Sequence, residues 1–139
     1  MEIALDTNIF ILAYDKKTPK GDIARKLLQK NKESNTRIFI SVIVIEEFLV
    51  RIYKQELEKD ILKYEDFITA GGFITVVEVN RQIARTAAKL RAEYSSLRTP
   101  DAIHLATAIV SGAKLFITTD KRIPKNIKGL KVIVLSKTN

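Results

Sequence analysis

The sequence predicts an α/β fold in which a mostly parallel sheet of five strands carries helices on both faces. Two features of the 139 residues predict this fold. Short runs of apolar and β-branched residues alternate with amphipathic helical stretches along the whole chain, which is the pattern of β-α-β units. The apolar runs are continuous, as expected of strands that are covered on both faces. At this length we expect a single domain, residues 1–139, with a core that needs no disulfide bonds.

The chain begins with the predicted central strand, residues 3–5, which runs directly into an acid. Asp6, Thr7 and Asn8 are residue types that cap helices, and a short helix over residues 9–14 follows them. In open α/β sheets, ligands bind beyond the carboxyl ends of the strands. Asp6 is therefore placed where a functional group is expected.

The next part of the chain repeats the pattern of a strand followed by a helix. A polar loop, residues 15–20, leads into an amphipathic helix that ends within residues 31–35. Residues 37–40 form the second predicted strand, and Ser41 is expected to cap the helix over residues 42–54. Capping is favoured over a nucleophilic role for this serine, because no motif puts a base beside it.

Two glycines separate the next helix from the third strand. Gly71 and Gly72 follow a helical pattern at residues 57–68 and precede the strand predicted at residues 73–79. The pair lacks the spacing of a phosphate-binding loop, so it is assigned to a turn. A further helix is predicted from the apolar stripe over residues 83–97.

The last part of the chain supplies one helix and two strands. Thr99 in the cap position and Pro100 at the first helical position open a helix over residues 101–110. Residues 115–118 form the fourth predicted strand, and residues 131–135, after a turn, form the fifth. Strands and helices thus alternate to the end of the sequence.

The charge of the chain points to a polyanionic partner. A formal charge of +8 arises from 24 Lys and Arg against 16 Asp and Glu, which favours nucleic acid through counterion release. A well-solvated, lysine-rich surface explains the charge equally well. The absence of cysteine excludes disulfides, thiolate nucleophiles and cysteine zinc sites. No signal-peptide pattern occurs, and no apolar run approaches the roughly 20 residues that span a bilayer, so we expect a cytoplasmic protein without a membrane partner.

Acids from four parts of the chain are predicted to meet at the carboxyl edge of the sheet. Converging carboxylates repel one another unless a cation compensates, and ligands that are all oxygen favour Mg²⁺ or Mn²⁺. Such an ion could activate water for phosphodiester hydrolysis. Taken singly, each acid could instead cap a helix or turn, or pair with a nearby cation. The acids are Asp6 after the first strand, Glu46 and Glu47 in the helix after the second, Asp101 before the fourth, and Asp120 after it.

Four short motifs occur in order along the chain. They are Leu5-Asp6-Thr7-Asn8, Ser41 followed by Glu47-Phe48, the run Thr99-Pro100-Asp101-Ala102-Ile103-His104-Leu105-Ala106-Thr107-Ala108, and Phe116-Ile117-Thr118-Thr119-Asp120. Together with the length, they resemble the PIN domain family and, more narrowly, VapC-type toxins. Each motif is weak alone, whereas four in this order over nearly the whole chain are specific.

The resemblance implies a three-layer α/β/α sandwich with strand order 3-2-1-4-5 and a Mg²⁺- or Mn²⁺-dependent endoribonuclease activity. It also implies a homodimer, an RNA substrate and inhibition by a cognate VapB-type antitoxin. By position, the catalytic and metal-binding acids are Asp6, Glu47, Asp101 and Asp120, and the residues that support them are Thr7, Asn8 and Thr118. The candidates for binding substrate phosphate are Arg51, Lys121 and Arg122, of which the last two could equally be solvated turn residues.

The sequence leaves two alternatives open, one for the identity of the second acid of the site and one for the role of the only histidine. A helical wheel puts Glu46 nearer the apolar side of its helix, whereas the family register selects Glu47, which we follow. His104 lies one turn beyond Asp101 in an apolar helix, where a hydrogen-bonded core histidine is favoured over a metal ligand.

Two other functions are also compatible with the sequence. A nuclease of the same fold could act in RNA processing or on DNA. A basic module of this fold could instead bind nucleic acid or protein without catalysis, although the presence of all four acids counts against it.

Overall fold

The computed structural model describes residues 1–15 and 18–136 of the chain. The strands are β1 (Glu2–Leu5), β2 (Arg37–Ser41), β3 (Thr75–Val77), β4 (Leu115–Thr118), β5 (Asn126–Ile127) and β6 (Leu130–Val134). The helices are α1 (Thr7–Tyr14), α2 (Pro19–Glu33), α3 (Val42–Lys54), α4 (Ile61–Thr69), α5 (Arg81–Glu93) and α6 (Thr99–Val110). Single turns of 3₁₀ helix, Glu58–Asp60 and Ala70–Gly72, flank α4.

The strands form one sheet in the order β3-β2-β1-β4-β6-β5. β1 lies at its centre, in parallel with β2 on one side and β4 on the other. β3 and β6 extend the parallel sheet outward from β2 and β4. The five predicted strands therefore take the predicted order 3-2-1-4-5, and the mostly parallel sheet is confirmed.

The prediction of five strands was wrong by one. β5 pairs antiparallel with β6 in a hairpin, with Ile127 opposite Leu130. The two residues between them, Lys128 and Gly129, have φ angles of 49° and 82°, as in hairpin loops whose twist matches that of the strands. A strand of two residues is too short to show a hydrophobic period, so the sequence indicated only a turn there.

Apolar clusters cover both faces of the sheet. Ile3 and Leu5 of β1 pack with residues of α1 to α4, whereas Ala4 between them packs with residues of α5 and α6. This division follows from strand geometry, in which successive side chains point to opposite faces. The result is the predicted sandwich of helices, sheet and helices.

Two helices begin two residues earlier than predicted, and each has an acid of the predicted site at its cap or in its first turn. α1 begins at Thr7, with Asp6 as its N-cap, and not at residue 9. α6 begins at Thr99 with Arg98 as its cap residue, so Thr99 is not the cap. The Asp101 carboxylate accepts a hydrogen bond from the Arg98 backbone N–H, which sets this cap one residue earlier.

Other predicted bounds shift by a few residues. α5 ends at Glu93 because Tyr94 is extended, with φ of −122° and ψ of 95°, so Leu97 is buried outside the helix. α2 begins inside the predicted polar loop, of which Lys16 and Lys17 lie outside the described residues. In the described parts of the chain, no helix is both long and apolar enough to cross a membrane.

Candidate active site

A cleft of about 260 Å³ opens at the carboxyl edge of the sheet, beyond the ends of β1 and β4. All four acids of the predicted site line it, although they come from four different parts of the chain. We call it the carboxylate cleft; its lining residues are Asp6, Thr7, Asn8, Ile11, Glu47, Arg51, Arg98, Asp101 and Asp120.

Asp6 lies at the floor of this cleft and is only 6% exposed. Its Oδ1 accepts a hydrogen bond of 2.8 Å from the Thr7 N–H, and its Oδ2 accepts one of 2.7 Å from the Thr118 hydroxyl. Burial raises the pKa of Asp6, and repulsion from Asp101 acts in the same direction, whereas His104, Thr118 and Thr7 act against it. The net result is a carboxylate whose charge is costly in this position.

Asn8 and Thr118 join the segments that follow β1 and β4. The Asn8 amide donates to the Thr118 hydroxyl at 3.2 Å, and its carbonyl oxygen accepts from the Thr119 N–H at 3.1 Å. The same Thr118 hydroxyl accepts from the Asp120 N–H at 3.0 Å. These bonds connect the segments that carry Asp6 and Asp120.

Glu47 enters the cleft from α3, and its neighbour Glu46 does not. The Glu47 Oε1 atom accepts hydrogen bonds of 2.6 Å from the Thr7 hydroxyl and 2.6 Å from the His104 Nε2. Burial raises the pKa of Glu47, but hydrogen bonds from His104 and Thr7 outweigh it, so the pKa is lowered. Glu46 is exposed and does not line the cleft. The glutamate that lies in the cleft is therefore Glu47, which the alignment with the family motif selected, and not Glu46, which the helical wheel put nearer the apolar side.

Asp101 is also buried, at 7% exposure, in the first turn of α6. One of its oxygens, Oδ2, accepts from the backbone N–H of Arg98 at 3.1 Å and lies 3.4 Å from the Arg98 Nε. This capping bond was one of the simpler roles that the sequence allowed for Asp101. It occupies one carboxylate oxygen of a residue that still lines the cleft.

Asp120 differs from the other acids because one arginine donates to both of its oxygens. Arg122 donates to both oxygens of its carboxylate, from Nε at 3.0 Å and from Nη2 at 2.6 Å. The hydrogen bonds from Arg122 lower the pKa of Asp120 in spite of some burial. Of the cations predicted to bind phosphate, Arg122 is therefore engaged, Lys121 is exposed outside the cleft, and Arg51 lines it.

The model of the family described as PIN domain matches residues 3–128 of the chain. The chain belongs to the PIN domain family. No curated protein matches the sequence at a significant level.

Solved structures of toxin–antitoxin proteins share the fold. A toxin–antitoxin complex from Klebsiella pneumoniae is 27% identical over 95% of this chain and 96% of its own, with a TM-score of 0.68. VapBC2 from Rickettsia felis, bound to a promoter DNA fragment, is 22% identical over 96% and 98%, with a TM-score of 0.73. VapC20 from Mycobacterium tuberculosis, described as a toxin that cleaves the sarcin–ricin loop, is 13% identical over 82% and 86%, with a TM-score of 0.67.

The carboxylate cleft of this PIN domain fits a divalent ion in its chemistry. Its donors are carboxylate and hydroxyl oxygens, which Mg²⁺ and Mn²⁺ prefer. The hydrogen bonds to Asp6 come from an N–H, a hydroxyl and an amide. The Nε2 of His104 lies 3.9 Å from the Asp6 Oδ1, which is beyond hydrogen-bond distance. Among the described residues, no three Asp, Glu or His side chains lie close enough together to hold one ion as they stand. The four acids thus line one cleft, but their side chains do not form a complete set of metal ligands in this structure.

Sequence reasoning missed Arg98 as a residue of the PIN cleft. Its position three residues before Asp101 was the available signal, because a cap residue and the acid of the first turn are adjacent in space. His104 is 2% exposed and hydrogen-bonded, in agreement with the favoured interpretation of a bonded histidine. That its partner is Glu47 could not be foreseen, since the two residues are 57 positions apart.

Proposed function

We propose that this PIN domain is a Mg²⁺- or Mn²⁺-dependent endoribonuclease that hydrolyses RNA phosphodiesters, and that it is the toxin of a VapBC-type pair. The observation that carries the proposal is the carboxylate cleft, in which Asp6 and Asp101 are buried at the carboxyl edge of a parallel sheet. Burying Asp6 within reach of the charge of Asp101 is unfavourable unless a cation compensates, and such an arrangement is typical of functional sites.

The four acids have distinct parts in this proposal. Asp6 and Asp101 are the principal metal ligands, and Glu47 and Asp120 complete the site directly or through water. A bound Mg²⁺ or Mn²⁺ supplies positive charge for the phosphate and activates the attacking water. Thr7, Asn8 and Thr118 support the acids; the hydrogen bonds of Thr7 to Glu47 and of Thr118 to Asp6 join different elements of the fold.

Cations at the cleft bind the RNA backbone. Arg51 and Arg98 line the carboxylate cleft, where their guanidinium groups can hold phosphate oxygens beside the acids. The net charge of +8 favours the approach of RNA to the protein. In-line attack of water on phosphorus, with cleavage of the P–O3′ bond and departure of the 3′ oxygen as a hydroxyl, would leave 5′-phosphate and 3′-hydroxyl ends.

A cognate VapB-type antitoxin and a homodimer are the partners in this proposal, and the cytoplasm is its location. Structures with the same fold are described as VapBC complexes, which supports the antitoxin. A short neighbouring gene that encodes a DNA-binding amino terminus is expected. Co-expression with that product should yield a stable complex, and light scattering of the PIN chain alone should give twice its mass.

The direct test compares matched RNA and DNA oligonucleotides of one structured sequence. We expect cleavage of the RNA with Mg²⁺ or Mn²⁺, none with EDTA, and none by Asp6→Asn. Cleavage of DNA at an equal rate would favour the alternative nuclease. Carboxylate-independent binding of RNA with no cleavage under any metal would favour a non-catalytic module and would overturn the proposal.

Glu46 and Glu47 provide a matched pair of variants within one helix. Glu47→Gln alters a carboxylate that lines the cleft, whereas Glu46→Gln alters an exposed neighbour outside it. We expect Glu47→Gln to lose cleavage and Glu46→Gln to keep the wild-type rate. The reverse result would show that the second acid has been assigned to the wrong residue.

A further inference from the structure

The side chain of His104 directs its hydrogen bonds to two residues of the carboxylate cleft, Thr7 and Glu47. It is the only histidine of the chain and is 2% exposed on α6. Its Nε2 lies 2.6 Å from the Glu47 Oε1 and 3.3 Å from the Thr7 Oγ1. Its Nδ1 is buried and has no hydrogen-bond partner among the described residues. Burying an unpartnered nitrogen is unfavourable, so the hydrogen bonds of the other ring nitrogen must offset this cost.

Glu47 is bound through only one of its oxygens in these contacts. Thr7 on α1 and His104 on α6 both reach Oε1, from 40 and 57 positions away in the sequence. A carboxylate can only accept hydrogen bonds, so the His104 Nε2 carries the hydrogen. Neither bond uses Oε2. Two donors on different helices hold a flexible side chain of α3 in one orientation.

We propose that His104 is a positioning residue that, together with Thr7, fixes Oε1 of Glu47 and so leaves Oε2 as the oxygen that would bind a metal in the carboxylate cleft. The inference rests on the proposed metal-dependent function of the cleft. It gives His104 no contact with the substrate or the metal, and its hydrogen bond acts on Glu47; the Asp6 Oδ1, at 3.9 Å from Nε2, is beyond hydrogen-bond distance. Partners of this kind commonly set the affinity of the ligands they orient.

The first test measures the affinity of Mn²⁺ alone by calorimetry in three variants. His104→Leu and His104→Asn remove the donor at Nε2 and should weaken Mn²⁺ binding about 10- to 100-fold. His104→Gln offers an amide N–H near the Nε2 position and should restore most of the affinity. Thr107→Val is the control, because Thr107 is buried one turn further along α6 and bonds only its own helix, at the Ile103 carbonyl.

Two further properties distinguish positioning from packing. His104→Leu removes the unpartnered Nδ1, so its thermal midpoint without metal should equal or exceed that of the wild type. In RNA cleavage, His104→Asn should lower kcat at an unchanged KM for RNA, and a higher Mn²⁺ concentration should restore the rate. If His104 merely filled the core, replacing it would lower the thermal midpoint, and a higher Mn²⁺ concentration would not restore the cleavage rate of the variant.

A measurement without metal tests the hydrogen bond itself. Because the chain has one histidine, ¹⁵N labelling of histidine gives the signals of a single ring. We expect a slowly exchanging hydrogen on Nε2 in the wild type and in Glu46→Ala, and its loss or displacement in Glu47→Ala. An unchanged signal in Glu47→Ala would overturn the inference.

The outcomes separate the inference from the proposed function. If the wild type and His104→Leu bound Mn²⁺ with equal affinity, the proposed role of His104 would be overturned and the nuclease proposal would stand. An equal loss in His104→Gln and His104→Leu would also overturn it, because the donor would then be irrelevant. Absence of Mn²⁺ binding by the wild type would overturn both, even if the ring signal depended on Glu47.

Discussion

Asp6 and Asp120 follow neighbouring strands into one cleft, yet their surroundings are opposite. Asp6 is 6% exposed, is hydrogen-bonded by uncharged groups, and has a raised pKa because of burial. The Asp120 side chain is 18% exposed, is held by both arms of Arg122, and has a lowered pKa because of that arginine. A place at the sheet edge therefore does not decide the state of an acid. On the Asp6 side of the cleft, the hydrogen bonds to the acid come from uncharged groups, so a cation from outside is needed. On the Asp120 side, the acid is already paired with a cation of the chain, Arg122.

The largest expected difference between these two acids is in cleavage rate. Asp6→Asn should lower the rate of RNA cleavage by about 10³-fold, equivalent to ~4 kcal/mol, because it removes a principal metal ligand. Asp120→Asn should lower it by only about tenfold, since its carboxylate is already shared with Arg122. Single-turnover kinetics on one RNA measure both rates. Equal losses in the two variants would show that the cleft uses both acids alike.

Metal binding should stabilise the protein through the Asp6 side of the cleft. At about 100 times its Kd, Mn²⁺ should add ~2.7 kcal/mol to the free energy of unfolding of the wild type. Asp6→Asn should lose most of this gain, whereas Asp120→Asn and the control Glu46→Gln should keep most of it. Thermal unfolding with Mn²⁺ and with EDTA provides the measurement. A gain that persists in Asp6→Asn would place the ion elsewhere.

Without metal, the two acids should give stability opposite dependences on pH. The pKa of Asp6 in the folded protein lies above 3.8, so its contribution to stability is present at low pH and falls as the pH rises through the raised value. The pKa of Asp120 lies below 3.8, so its contribution is present above that pH and is lost as the pH falls through the lowered value.

Denaturant unfolding in EDTA between about pH 3 and pH 7 tests these two signs. The stability of Asp6→Asn relative to the wild type should increase as the pH rises. The deficit of Asp120→Asn should shrink as the pH falls below about 4. Parallel curves for the two variants would contradict the contrast between the two sides of the cleft.

Much of the scaffold could be predicted because local pattern and sheet topology determine it. The apolar run that ends at Asp6 and the proline-opened helix before Asp101 both carry local signals. A parallel sheet then brings the ends of its strands to one edge without any knowledge of contacts. Strand order 3-2-1-4-5 came from the family resemblance, and the two-residue β5 had no detectable period.

The local chemistry of the cleft could not be predicted, because it depends on contacts between distant residues. The partners of Glu47 come from helices 40 and 57 positions away in sequence, and no period encodes which of its oxygens they reach. The pairing of Asp120 with Arg122 is local, but the same two residues in a different turn would both be solvated. The folded structure therefore determines which acids at the carboxyl edge of the sheet are paired with a cation of the chain.

Arginines on the two sides of the cleft should differ in their effect on RNA binding. Arg51→Ala and Arg98→Ala each remove a cation that lines the cleft, and each should raise the KM for RNA and reduce the salt slope of binding by about 1. Arg122→Ala should have a smaller effect on that slope, because Arg122 donates to both oxygens of Asp120, whereas Arg98 makes a single 3.4 Å contact with Asp101 through its Nε. Fluorescence anisotropy at several salt concentrations measures the slopes. If the salt slope were unchanged in both Arg51→Ala and Arg98→Ala, neither arginine would contact the RNA backbone.

The smallest effect is expected at Lys121, directly beside the Asp120–Arg122 pair. Lys121 is exposed and does not line the cleft, so Lys121→Ala should change RNA affinity by no more than about twofold, as expected of a surface charge that solvent and salt screen. Arg122→Ala, one position on, should alter the site more because it frees the Asp120 carboxylate. If Lys121→Ala weakened RNA binding as much as Arg51→Ala, the RNA would have to pass over the end of β4, on the side of the cleft where Asp120 is paired with Arg122.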